Sequence, residues 1–292
     1  MYDVIIIGKG PAGISAALYT TRAKLNTLVI GKGYSEVAKA EKIENYYGFP
    51  EPISGRELLD NGIKQATRLG AEIIEDEVIS LGKNDHYKVS TSKESYEASA
   101  VLLATGQVWK KTRIENLSNF EGRGVAYCST CDGFFYKDLA IGVLGNQDYA
   151  AHEASELENF SKNITLFTNG QEIGISGKYA KNLERYKINK KKIAKLEGGE
   201  FLEKIVFDDA TEEKIDGLFV AFGSASSADF AKQLGVVTDG DTIVTDDNMM
   251  TNLEGLFAAG DCTGGLKQIA VAVGKGALAG KKIIDFLKNK KI

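Results

Sequence analysis

Short apolar runs alternate with stretches of helical period along this chain. Ile5-Ile6-Ile7, Leu28-Val29-Ile30 and Val101-Leu102-Leu103-Ala104 are continuous and apolar, as strands buried on both faces require. Leu139 to Leu144, Ile164 to Phe167, Asp216 to Gly223 and Gly255 to Asp261 repeat the pattern further on. Helical spacing begins at Ile14, again from about Gly55 to Leu69, after Gly145 to about Asn159, and from about Gln268 to Leu287. A strand is expected from Glu72 to Ile79, and a small hairpin at 87–90 and 95–97. Strand and helix alternate twice, so the expected class is α/β, with a parallel sheet between helical layers.

The turns between strand and helix sharpen this. The first reads Gly8-Lys9-Gly10-Pro11-Ala12-Gly13, a GxGxxG with a strand before it and a helix after it. Gly8 permits the tight turn, Gly10 lets the backbone approach a pyrophosphate, and Gly13 lets helix and strand pack closely. The second strand then ends in Ile30-Gly31-Lys32-Gly33, without the usual ribose carboxylate. The second turn, Gly145-Asn146-Gln147-Asp148-Tyr149-Ala150, has the same setting but is altered. Gln147 stands where the second Gly belongs, and Thr168-Asn169-Gly170-Gln171 offers neither an acid for a ribose nor an Arg for a 2′-phosphate. The fold expected is therefore two dinucleotide-type, Rossmann-like domains in one chain. Lys110 to Arg113 is polar and reads as a candidate linker, and around Gly240 the chain turns back.

Composition narrows the function. The chain has 292 residues and a net charge of −4, which gives no reason to expect nucleic acid. No apolar run approaches the roughly 20 residues of a membrane span, and the N-terminus reads as a strand rather than a signal peptide. The cytoplasm is expected, where a CxxC is redox-active or metal-binding more often than structural. That motif is Cys128-Ser129-Thr130-Cys131-Asp132-Gly133. Zinc needs four ligands, and Cys262, His86 and His152 are not in ligand spacing, so no metal is expected. Lys187 to Lys195 is a basic run, read as a solvated surface ahead of a docking patch for an acidic protein.

Taken together, GKGPAG (8–13), IENYYGFP (43–50), ATG (104–106), CSTCDG (128–133), DGLFVAFG (216–223), GLFAAGD (255–261) and KQIA (267–270) resemble the low-molecular-weight thioredoxin reductase family over nearly the whole chain. The resemblance implies two three-layer domains of the FAD/NAD(P)-binding type, the second inserted in the first: residues 1–112 and 241–292 would form the FAD domain and 113–240 the insert. It implies a homodimer with one FAD per chain, held in the domain formed by both chain ends. The FAD-binding residues it implies are Gly8, Gly10, Pro11, Ala12, Gly13, Gly33, Asn45, Val78, Ala104, Thr105, Gly106, Gly260, Asp261, Lys267, Gln268, Ile269 and Ala270. It also implies electron flow from flavin to the Cys128–Cys131 disulfide to thioredoxin. Cys131 would face the flavin, Cys128 would attack the thioredoxin disulfide, and Asp132 would be the general acid, its competing role being to complement a helix N-terminus.

The departures gather in the insert, which is short and lacks both the family's nicotinamide turn and its basic NADPH-gripping cluster. In this the sequence is most similar to ferredoxin-dependent flavin thioredoxin reductases, so reduced ferredoxin is the expected donor. The competing readings are an NADPH-dependent reductase with a variant site, a relative with a second flavin in the insert, a flavin-dependent dithiol oxidase, and a redox-sensing binding protein.

Overall fold

The apolar runs become the centre of two parallel sheets. The computed structural model describes residues 1–106, 114–127, 129–222, 229–231, 234–240 and 242–290, and not the side chains of residues 130, 131, 177 and 178. The chain divides into two compact units, residues 1–108 with 226–292 and residues 109–225. The expected linker, Lys110 to Arg113, lies outside the described residues.

In the first unit, β1 (Tyr2–Ile7) runs parallel to β2 (Thr27–Gly31), which runs parallel to β3 (Glu72–Glu75). The meander β4 (Val78–Lys83), β5 (Tyr87–Thr91) and β6 (Ser95–Leu103) continues the sheet in the order β3-β2-β1-β6-β5-β4. The second half of β6 also pairs with β17 (Leu256–Ala258). Val4, Ile5, Ile6, Leu28, Val29, Ile30 and Leu102 are completely buried, each contributing about 1.5–3 kcal/mol of hydrophobic stabilisation.

Two main helices of this unit are α1 (Pro11–Arg22) and α2 (Gly55–Arg68). Ser54 begins α2 because its hydroxyl accepts from the Glu57 amide, and Glu57 in the first turn complements the dipole. The hairpin β15 (Thr238–Asp239) and β16 (Thr242–Ile243) also belongs here. The unit boundary after residue 225 thus falls earlier than the residue 240 expected from sequence.

The expected strand 72–79 is two strands with different partners. Asp76 and Glu77 are buried where it breaks. Asp76 accepts from its neighbour's amide at 2.8 Å and from the Ser92 hydroxyl at 2.7 Å, so the chain leaves β3 and enters the meander.

In the second unit, β7 (Val125–Ala126), β8 (Ile141–Leu144), β9 (Ile164–Phe167), β10 (Lys187–Asn189) and β14 (Gly217–Val220) form a parallel sheet in the order β10-β9-β8-β14-β7. Beside it, β11 (Ile193–Gly198), β12 (Leu202–Phe207) and β13 (Glu212–Lys214) form an antiparallel sheet. Leu144, Phe167, Leu196, Ile205 and Leu218 close one core between them. The helices here are α3 (Ser129–Asp132), α4 (Asp148–Leu157) and α5 (Gly177–Ala180). The final helix, α6 (Ile269–Lys290), returns to the first unit and packs on α1.

Candidate functional site

The first dinucleotide turn is held from behind and open in front. Gly8 has φ +116°, and a Cβ there would collide with the Ala104 carbonyl at the end of β6. A Cβ at Gly13 would strike the Gly8 carbonyl, so α1 can approach β1 only because residue 13 is glycine. At Gly10 the reverse holds: the nearest heavy atom to a Cβ would be Ser35 Cβ, 3.7 Å away. Pro11 starts α1, and no acid or side-chain cap occupies its first turn. An uncapped helix start before an open glycine suits a pyrophosphate.

Neighbouring strand ends bring in other expected residues. Ala104, Thr105 and Gly106 follow β6, and Gly260 and Asp261 follow its partner β17. A Cβ at Gly260 would lie 2.9 Å from the Ala12 methyl, which places the β17 exit against the start of α1. Asp261 opens a short 3₁₀ turn, well before α6 begins at Ile269, so it does not cap that helix. Asn45 donates to the Gln268 side chain at 3.0 Å, joining the aromatic turn to Lys267, Gln268, Ile269 and Ala270. Cys262 is buried, its thiol donating to the Leu103 and Ala259 carbonyls.

Gly33 and Val78 each adjoin an acid that the sequence reading missed: Glu75 bonds to Gly33, and Glu77 precedes Val78. Glu75 is the register partner of Gly31, and its carboxylate accepts from the Gly33 amide and the Lys9 ammonium. Burial opposes its charge, but the Lys9 and Gly33 hydrogen bonds outweigh that and hold the carboxyl below the usual range. Glu77, next to Val78, pairs with Lys32 at 2.6 Å. Ser35 Oγ and Glu77 Oε1 are buried without a hydrogen-bond partner among the described residues. Acids at 75 and 77, two apart at a strand end, were the available signal, but their approach to Gly33 and Lys32 is tertiary.

The CxxC lies only partly within view. Cys128 lies outside the described residues, as does the Cys131 side chain. The Cys131 backbone belongs to α3, whose first amide, Ser129 N–H, donates at 3.0 Å to Glu153 of α4. Glu153 is 1% exposed. Asp132 is half-buried, and its charge, after burial itself, helps push the Tyr136 hydroxyl pKa up. Gly133 tucks beneath the Phe160 ring, while Phe134 and Phe135 are each 72% exposed and meet edge to face.

The second dinucleotide turn repeats the frame of the first but is covered. A Cβ at Gly145 would collide with the Ala221 carbonyl, as one at Gly8 would with Ala104. The segment 172–176 then folds onto the turn. Asn146 donates to the Glu172 carbonyl at 2.8 Å, and the Gly174 amide donates to the Asn146 carbonyl at 2.8 Å. The Gln147 amide group fills the space beside Gly174, 2.5 Å from where a Cβ there would be. Asp148, 5% exposed in the first turn of α4, accepts from the Ser176 amide and hydroxyl. A carboxylate thus stands at the helix start where a phosphate would be held.

The basic run is paired within its own unit. Lys187 meets Glu213, Lys191 meets Asp209, Lys192 meets Asp208 and Lys195 meets Glu197. Among the described residues no three His, Cys, Asp or Glu side chains form a metal-binding group, and no helix is long and apolar enough to cross a membrane.

Residues 2–276 match the family described as pyridine nucleotide-disulphide oxidoreductase. A thioredoxin reductase of Aquifex aeolicus (strain VF5) is 35% identical, over 100% of this chain and 95% of its own length. The crystal structure of the atypical thioredoxin reductase TRi from Desulfovibrio vulgaris Hildenborough superposes with a TM-score of 0.95 at 41% identity, covering 99% of both chains. A ferredoxin-flavin thioredoxin reductase from Clostridium acetobutylicum gives a TM-score of 0.73 at 30% identity, covering 99% of this chain and 98% of that one. The open, uncapped turn at Gly10 and the unpartnered Ser35 hydroxyl fit FAD as the cofactor of the first unit. The chain belongs to the pyridine nucleotide-disulphide oxidoreductase family, as an FAD flavoprotein homologous along its whole length to thioredoxin reductases.

Proposed function

We propose that this flavoprotein reduces thioredoxin and takes its electrons from reduced ferredoxin rather than from a nicotinamide dinucleotide. The observation that carries the choice of donor is the covering of the second turn by residues 172–176, with Gln147 and Asp148 filling the phosphate position. A dinucleotide would have to displace that segment and place its phosphates against a buried carboxylate, which is costly in a low-dielectric site.

Bound FAD supplies the link between a one-electron donor and a two-electron disulfide. In this reading the first unit holds FAD through the glycine turn and the ends of β6 and β17, and the second unit carries the redox pair. Cys131 receives the electrons, and Cys128 is the thiolate that attacks the thioredoxin disulfide to form a mixed disulfide. Asp132 protonates the leaving thiolate. The protein works in the cytoplasm as a homodimer.

Anaerobic titration of the purified protein tests this. Reduced ferredoxin should bleach the visible flavin bands, and added thioredoxin should then be reduced. Cys128→Ser should keep the bleaching and abolish thioredoxin reduction. Prompt bleaching by NADPH or NADH sinks the donor assignment, and thioredoxin reduction by Cys128→Ser at the normal rate sinks the role of Cys128.

A further inference from the structure

We propose that Glu75, drawn over the end of β2 by Lys9, replaces the absent strand-end acid and accepts the ribose hydroxyls of the FAD adenosine. This rests on FAD as the cofactor of the first unit and is independent of the electron donor.

In a dinucleotide fold the ribose diol is bound by a carboxylate at the end of the second strand. Here that end is Gly31-Lys32-Gly33. The vacancy is structural as well as sequential. A Cβ at Gly31 would lie 2.8 Å from Lys9 Cγ, so the Lys9 stem covers the place where an acid at 31 would start. Lys9 lies between Gly8 and Gly10 of the glycine turn, and its ammonium reaches across to Glu75 on β3. Gly31 and Glu75 are side by side in register. The Glu75 carboxylate therefore sits one strand over from the usual acid and is pulled back towards the turn by Lys9 and the Gly33 amide. With the Lys9 stem in this position a side chain at 31 would force it to shift, whereas an acid on β3 receives its ammonium.

Two further atoms point to a polar ligand here. Glu77 has a side chain 4% exposed, with Oε2 on Lys32 and Oε1 unpartnered. Ser35 Oγ, beside the open face of Gly10, is also unpartnered. Along the chain Ser35 lies two residues beyond Gly33, and Glu77 two beyond Glu75. A carboxylate with both oxygens already accepting can still take a diol, because each oxygen offers two lone pairs.

The test uses the full-length chain stripped of flavin. ADP and 2′,3′-dideoxy-ADP compete against FAD, followed by the quenching of flavin fluorescence, and FMN serves as a ligand without adenosine. The wild type should prefer ADP over the dideoxy compound by about ten-fold or more, the effect of a hydrogen bond to a charged group. Glu75→Gln should bring the two within about two-fold of each other, because the preference comes from the charged acceptor, and should leave FMN affinity unchanged. The Glu75 side chain is 62% exposed, so its replacement spares the core, and circular dichroism verifies the fold. A full ADP preference in Glu75→Gln, or no preference in the wild type, overturns the assignment. Neither result bears on the donor, which the bleaching experiment decides separately.

Discussion

Asp148 and Ser176 form a two-point clasp: the carboxylate accepts from the serine amide at 2.6 Å and from its hydroxyl at 2.9 Å. The clasp ties the covering segment to the start of α4. Together with the Asn146–Glu172 bond, it makes the closed turn a product of several contacts rather than of Gln147 alone. Restoring glycine by Gln147→Gly should therefore leave the flavin spectrum unresponsive to NADPH under anaerobic conditions. Asp148→Ala should lower stability by about 2 kcal/mol, because the buried Asp148 carboxylate accepts two charge-assisted hydrogen bonds that the variant cannot make. Denaturant unfolding followed by circular dichroism measures the loss, and a change below about 0.5 kcal/mol would show that the clasp contributes nothing.

Gly8 and Gly10 of the first turn should fail in opposite ways. Gly8→Ala places a methyl group against the Ala104 carbonyl at a φ of +116°, so the protein should lose at least about 3 kcal/mol or not fold. Gly10→Ala meets only the more distant Ser35, so its fold should be intact while its FAD is lost. The ratio of flavin to protein absorbance, read with the circular dichroism spectrum, separates the two. Full FAD occupancy in Gly10→Ala contradicts the placement of the cofactor's pyrophosphate.

Asp76 should give the first unit an acid-sensitive joint. Burial disfavours its charge, but the Ser92 and Thr91 hydroxyls and the Glu77 amide outweigh burial and hold the carboxyl below its ordinary value of 3.8. A carboxyl whose folded pKa is lower than its unfolded one stabilises the fold above the unfolded value, and this is lost as pH falls through the folded value. Asp76→Asn should therefore be less stable than the wild type by about 1–2 kcal/mol at neutral pH. The gap should narrow below about pH 4. Unfolding midpoints from pH 7 to pH 3 report it, and a constant gap contradicts it.

The sequence revealed the parts that depend on local pattern. Both strand-turn-helix units were legible because their apolar runs, glycines and helical spacing are contiguous. The altered state of the second turn was legible from Gln147 and from Thr168 to Gln171. What covers it was not, because Glu172, Gly174 and Ser176 acquire meaning only when they fold back onto Asn146 and Asp148. The β11 to β13 meander was hidden beneath a lysine-rich stretch whose charges are neutralised by Glu197, Asp208, Asp209 and Glu213. The break at Asp76 and Glu77 was missed for the same reason, since Ser92 and Lys32, which hold these acids, are far along the chain.

The packing of α6 on α1 sets an order of events during synthesis. A Cβ at Gly276 would collide with the Ala12 carbonyl, and the Ser15 hydroxyl donates to the Val273 carbonyl across 258 residues. The dinucleotide turn is thus made before the whole second unit, and its supporting helix after it. Domains fold as units while the chain is being made, so the second unit can complete its fold with the first still open. Stable flavin capture then becomes a late step in maturation, and chains truncated before Gly276 should emerge colourless.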